Sequence, residues 1–278
     1  MAESLQSVLR NNVKEKLARD EAVASMIVRT VRGIEIARIA KTCGFDTLYV
    51  DLEHSTFSVD TCSQICTAAL DAGITPFVRV PTLGPEFVAR VLDGGALGVI
   101  GPHIRSAAEA RELVRAAKYP PLGDRSAGGQ LAQFQYRDFP APEANAAANA
   151  ATTVIAMLET KDGLARVDEI AAVEGVDILL IGTNDLCGEL GIPGQYDHAQ
   201  IREAYTRTIA ACRKHGKHAG IGGIGSRPDL VAQFVGEGAR YVSIGSDLSF
   251  LIGAATDKAK FVHGLKTAAK APAKRAGR

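Results

Sequence analysis

Eight short apolar runs, each followed by a Gly, Asp or Ser turn and then a helix-period segment, constrain this chain more than any other feature. They are ASMIV (24–28), TLYV (47–50), TPFVRV (75–80), LGVIG (97–101), TVIAML (153–158), DILLIG (177–182), HAGIGG (218–223) and YVSIGS (241–246). Strands that read as nearly unbroken apolar stretches are covered on both faces, which is the condition of a parallel sheet wrapped by helices. Eight such repeats predict a closed (β/α)₈ TIM barrel in preference to an open doubly wound sheet. The turn after the first run, MIVRTVRG, lacks the GxGxxG of a dinucleotide-binding fold. No composition break marks a second domain, so residues 1–267 read as one domain with an N-terminal amphipathic helix, and residues 268–278 as a basic, solvated tail. The interval 119–151 is too long for an ordinary connection and reads as an insertion with small helices.

Charge and cysteine content exclude several function classes. With 32 Lys and Arg against 31 Asp and Glu, the chain has no global field that favours nucleic acid or an anionic membrane. The start shows neither a signal peptide nor a membrane span, and the reading is a soluble cytoplasmic protein. Five cysteines without a CxxC spacing read as reduced core or helix residues.

In a (β/α)₈ barrel the chemistry gathers at the C-terminal strand ends. The second run ends in Asp51, Glu53 and His54; the third carries Arg79; the fifth ends in Glu159; the sixth ends in Thr183, Asn184 and Asp185. An Arg inside FVRVP needs partners, because breaking a buried ion pair costs on the order of 3 to 5 kcal/mol. Pairing of Arg79 with Asp51 or Glu53 is the structural reading; recognition of an anion is the functional one. Glu159 and Asp185 can each cap a helix or lead a turn. Together they offer oxygen ligands from adjacent strands without a Cys or His cluster, the pattern of Mg²⁺ or Mn²⁺ rather than structural zinc. His54 is placed to serve as a general base, with His103, in GPHIRS, a second candidate. A metal, an Arg and a base at one mouth suit aldol chemistry on a 2-oxo acid, with the ion stabilising an enolate and Arg79 donating to the developing oxyanion.

These residues resemble the metal-dependent (class II) pyruvate aldolases of the HpcH/HpaI aldolase and citrate lyase superfamily. The matching pieces are DLEH (51–54), PFVRVP (76–81), YPPLGDRS (119–126), LET (158–160) and VEGVDILLIGTNDL (173–186), in order across nearly the whole chain. The resemblance implies reversible cleavage of a 4-hydroxy-2-oxo acid to pyruvate and an aldehyde. It implies a divalent ion (Mg²⁺, Mn²⁺ or Co²⁺) on Glu159 and Asp185, and pyruvate near Arg79 and the backbone of Gly182, Thr183 and Asn184. Asp51 and His54 become the acid/base pair, with Glu53 in support. It further implies a homohexamer, a trimer of dimers that exchange their last helix. Two positions depart from the family pattern: Met157, where Gln is frequent, and GTNDL in place of GPADL.

Two other readings stand beside it. An acyl-CoA-type lyase of the same superfamily uses the same barrel. A phosphate-binding isomerase or lyase would use the small-residue turns GIGG (220–223) and IGS (244–246). A Schiff-base aldolase needs a lysine in a strand, and none of the eight runs holds one.

Overall fold

The computed structural model describes residues 5–265, and the basic tail expected over residues 268–278 lies outside the described residues. All eight strands form: β1 Val23–Val28, β2 Thr47–Asp51, β3 Thr75–Arg79, β4 Gly98–Gly101, β5 Thr153–Leu158, β6 Ile178–Gly182, β7 His218–Gly222 and β8 Ala239–Ser246. They pair in parallel in chain order and close into a barrel between β8 and β1. Helices carry the chain from each strand to the next. Helix Val59–Ala72 shows how local sequence sets their limits: the Ser58 hydroxyl accepts from the Thr61 N–H, and Gly73 ends the helix at φ 70°.

Strand alternation divides the apolar residues into two layers. Leu48, Val50, Val78, Val154, Leu179 and Ile181 pack outward against the helices. Tyr49, Phe77, Ile155, Met157 and Leu180, one residue out of step with them, fill the barrel. The same period of two carries Asp51, Arg79, Glu159 and Gly182 onto the interior face just beyond the packed core. Four of the five cysteines are buried and all are unpaired, as their spacing suggested.

The N-terminal amphipathic segment is two helices, Leu5–Val8 and Asn12–Ala18, not one. The break falls at Asn11, whose side chain caps the second helix through the Lys14 N–H and donates to Ala151 O at 2.7 Å and Thr153 Oγ1 at 3.0 Å. Val13 and Leu17 then close the N-terminal end of the barrel. The insertion at 119–151 holds a 3₁₀ turn, Ala132–Phe134, and a helix, Ala141–Ala151.

The last helix, Asp247–Gly264, is anchored at its start, where Asp247 is buried and Phe250 meets Phe45 at 5.8 Å. Further along, Leu251, Ile252, Phe261 and Val262 are 56 to 66% exposed. No helix among the described residues is long and apolar enough to cross a membrane.

Candidate active site

The β2 and β3 ends build the floor of the site. Asp51 and Arg79 are direct partners in the strand register. Arg79 donates to both Asp51 oxygens, Nε to Oδ1 at 3.0 Å and Nη2 to Oδ2 at 2.6 Å, and its Nη1 faces Glu53 Oε2 at 2.9 Å. Burial pushes the Asp51 carboxyl up, but the hydrogen bonds and charge of Arg79, the His54 N–H and the charge of Arg29 outweigh it and leave the group below its ordinary range. Burial pulls the other way on Arg79, and the Asp51 hydrogen bonds with nearby negative charge more than restore it, so the guanidinium stays protonated.

Asp51 also shapes the loop that follows. Its Oδ1 accepts the backbone N–H groups of Glu53 at 3.1 Å and His54 at 3.2 Å, while the Ser55 hydroxyl donates to its carbonyl. Asp51 therefore holds His54 through the main chain. The imidazole itself lies 3.8 Å from Glu53 Oε2 and is half exposed to the mouth.

Glu159, one residue past β5, is buried. Its Oε1 accepts the His103 N–H at 2.9 Å, and the His103 ring spans Glu159 Oε1 through Nδ1 at 3.1 Å and Glu53 Oε1 through Nε2 at 3.0 Å. His103 reaches both by adopting a left-handed backbone, φ 52°. Glu159 Oε2 has no hydrogen-bond partner. Burial raises the affinity of Glu159 for a proton, the His103 N–H and ring oppose this, and the charges of Glu53 and Asp185 add to it.

The β6 end supplies the opposite wall. Thr183 turns its hydroxyl away to Gly222 O at 2.6 Å and Tyr205 at 2.8 Å, and Asn184 accepts from the Tyr196 hydroxyl at 2.7 Å. Gly182 leaves room for the Glu159 carboxylate, because a Cβ there would stand 2.3 Å from Oε2. Gly223, at φ 85°, likewise lets β7 approach the Asn184 N–H. That close approach accounts for one glycine of the GIGG turn without a phosphate. Arg29, His54, Arg79, Gly182, Thr183, Asn184 and Asp185 together border a cavity of about 190 Å³. A cavity of about 380 Å³ opens at the other barrel end, but its ionisable lining residues, Arg10 and Asp71, are both exposed. Chemistry, not volume, locates the site.

The donor set fits a hard divalent cation. Glu159 offers an unpartnered buried oxygen, Asp185 an exposed carboxylate close enough to raise the Glu159 proton affinity, and no thiolate is among the residues around the cavity. Glu53, His103 and Glu159 also form a compact group, with one ligand atom from each within 4.8 Å of the others. In that group the His103 ring already engages Oε1 of both carboxylates; of the two remaining oxygens, neither of which accepts a hydrogen bond, Glu53 Oε2 is ion-paired with Arg79 Nη1 at 2.9 Å, and Glu159 Oε2 is the one without a cation.

Two residues gain weight that the sequence reading did not give them. His103, held there as a second candidate, is the bridge between the two buried carboxylates. Arg29 is not among the candidates named from the sequence. It follows an apolar run just as Arg79 interrupts one, and that signal could have found it.

The sequence model of the HpcH/HpaI aldolase/citrate lyase family matches residues 31–254. The 4-hydroxy-4-methyl-2-oxoglutarate aldolase of Chaetomium globosum is 40% identical over 255 residues, 91% of this chain and 95% of that one. Its counterpart from Hapsidospora irregularis is 42% identical over 216 residues, 77% of this chain and 80% of that one. The crystal structure of an HpcH/HpaI aldolase from Desulfitobacterium hafniense superposes with a TM-score of 0.85 at 29% identity, covering 92% of this chain and 98% of that one.

Proposed function

The chain belongs to the HpcH/HpaI aldolase/citrate lyase family and is a carbon–carbon lyase of the pyruvate-aldolase kind, and from that premise we propose how its own residues carry the reaction. The reaction is reversible cleavage of a 4-hydroxy-2-oxo acid to pyruvate and a carbonyl compound. The observation that carries this assignment is the buried Glu159 carboxylate, with one oxygen unpartnered against Gly182 and with Arg79 fixed nearby.

Glu159 and Asp185 would hold a divalent ion, which when bound stabilises negative charge on the 2-oxo group. Arg79 presents Nη1 to the same oxygen, already oriented by its pairing with Asp51. Such preorganised donors contribute roughly 3 to 4 kcal/mol each to a developing oxyanion. The backbone amides of Thr183 and Asn184 receive the pyruvate carboxylate, a role supported by the Thr183 hydroxyl being turned away to Gly222. His54, half exposed at the mouth, takes the proton of the C4 hydroxyl as the C3–C4 bond breaks and returns it in the condensation direction. Asp51 remains anionic and positions both Arg79 and the His54 backbone. Met157 Sδ, 3.8 Å from Arg79 Nη1, can accept weakly but cannot donate, so it contributes shape rather than a second donor.

The chain self-associates in this reading through helix Asp247–Gly264, whose exposed Leu251, Ile252, Phe261 and Val262 form too apolar a surface to stay in water. Exchange of that helix within a hexamer is the arrangement we carry over.

The test is exchange of the pyruvate C3 protons with solvent deuterium, followed by pyruvate release from 4-hydroxy-2-oxo acids; the substrate named for the two relatives, 4-hydroxy-4-methyl-2-oxoglutarate, is one of these. Both activities should require a divalent ion and vanish in Glu159→Gln and Asp185→Asn. Exchange that survives in either variant refutes the ligand assignment.

A further inference from the structure

The basic side chains bordering the cavity are Arg29, His54 and Arg79. Arg79 has committed all of its nitrogens, Nε and Nη2 to Asp51 and Nη1, which faces Glu53, to the 2-oxo group in the reading above. Arg29 has not. Its Nη2 gives one hydrogen bond to Asp51 Oδ2 at 3.1 Å, an oxygen already served by Arg79. Its Nε is buried with no partner, and its Nη1 has none among the described residues. An unpartnered guanidinium donor shielded from water is costly to keep.

The protein also aims this side chain deliberately. Ile27 faces the barrel interior, so the strand period carries Arg29 to the same face just above it. Three successive N–H groups, those of Arg29, Thr30 and Val31, donate to the buried Asp247 carboxylate at 3.2, 2.9 and 2.7 Å. That clamp fixes the chain where it leaves β1. Arg32, one turn on, is occupied by the Thr56 hydroxyl at 2.6 Å and lies over the Phe57 ring, 5.0 Å from its centroid. Arg29 is thus a guanidinium with donors to spare, and it borders the same cavity as His54, the residue assigned to the C4 hydroxyl.

We infer that Arg29 is the residue that binds a carboxylate carried on C4 of the substrate and so sets a preference for 4-hydroxy-2-oxo diacids, the class to which the substrate named for the two relatives belongs, with a 2-oxo acid as the fragment released beside pyruvate. A guanidinium edge fits a carboxylate through two parallel N–H donors, and an aldehyde or alkyl group gives it nothing to accept. The bookkeeping of the step is unchanged. The C3–C4 bond breaks, its electron pair stays on C3 as the enolate, the C4 hydroxyl loses its proton to become a carbonyl, and C3 gains one proton to give pyruvate.

This inference rests on the aldolase reading, and one experiment separates the two. The full-length protein with its divalent ion is assayed on 4-hydroxy-4-methyl-2-oxoglutarate and on its C5 carboxamide, with pyruvate C3 exchange measured in the same preparation. The wild type should prefer the diacid in kcat/KM by roughly ten- to a hundredfold, the range of a hydrogen bond between charged partners. Arg29→Met should collapse that ratio, mainly through KM for the diacid, and Arg29→Lys should recover part of it. An unchanged ratio in Arg29→Met, with both substrates slowed alike, would make Arg29 a structural partner of Asp51 and overturn the inference. So would a wild type indifferent to the C5 charge. Absence of both C3 exchange and pyruvate release would instead remove the aldolase reading on which it stands.

Discussion

Arg79 and Asp51 are register partners on adjacent strands, and the guanidinium grips both carboxylate oxygens with the edge formed by Nε and Nη2, leaving Nη1 towards the cavity. The pair both stabilises the barrel and sets a donor for the reaction. Arg79→Lys keeps the charge and loses the planar fork, so a single ammonium must choose between Asp51 and the substrate. Metal-dependent C3 exchange should fall by about a hundredfold or more, and thermal unfolding should show a loss of up to about 3 kcal/mol from the uncompensated Asp51. Exchange within threefold of wild type would show that the fork is not used.

Gly182 tests the geometry of the ion site without touching a charge. In Gly182→Ala the new Cβ would lie 2.3 Å from Glu159 Oε2 and 2.9 Å from Met157 Cε, so the carboxylate must move. Divalent-ion affinity measured by calorimetry should drop at least tenfold, with a stability cost of about 1 to 3 kcal/mol for overpacking. Wild-type affinity would place the ion elsewhere, with Glu53 and His103 the next residues to probe.

His54→Ala separates proton handling from binding. Removing a positioned general base costs about 10² to 10⁴ in rate. That loss should appear in kcat for cleavage, while pyruvate affinity changes by less than threefold. Equal losses in both would make His54 a binding residue.

Lys118 gives a stability signal remote from the site. Its ammonium is buried and donates to Asn149 O at 2.7 Å and Thr152 O at 2.5 Å. Burial lowers its pKa to about 8, against the pull of the Asp177 charge. The unfolded chain therefore binds more protons between that value and the ordinary 10.5, and stability from this group rises with pH across the window. The wild-type minus Lys118→Met difference in unfolding free energy should climb from pH 8 to 10, by at most about 3 kcal/mol. A flat difference would show that Lys118 titrates normally. Because Lys118 sits where a helix returns to the start of β5, at the end of the barrel away from the cavity, it offers no Schiff-base chemistry there.

The exposed face of the last helix predicts assembly. Leu251→Glu combined with Phe261→Glu should lower the sedimentation mass from an oligomer towards the monomer. A wild type that sediments as a monomer would sink the self-association proposal.

The strand count, the barrel and the list of strand-end residues were all legible in the sequence, because each rests on local periodicity. Period two decides which face a residue takes, and so Asp51, Arg79 and Glu159 could be set on one rim without coordinates. The bridging place of His103 was not legible. It depends on a left-handed turn at one residue and on two carboxylates from strands that are distant in the chain.

DLEH illustrates the division within four residues. The sequence alone determined that two carboxylates and an imidazole stand at the end of the second strand of a barrel. Only the tertiary structure decided that Asp51 spends itself on Arg79, Arg29 and the loop backbone, that Glu53 reaches Arg79 and His103, and that His54 is left facing the mouth. Alternation along one strand follows from bond geometry, but the partner of a charge is set by which strand closes beside it, and that is a property of the whole barrel.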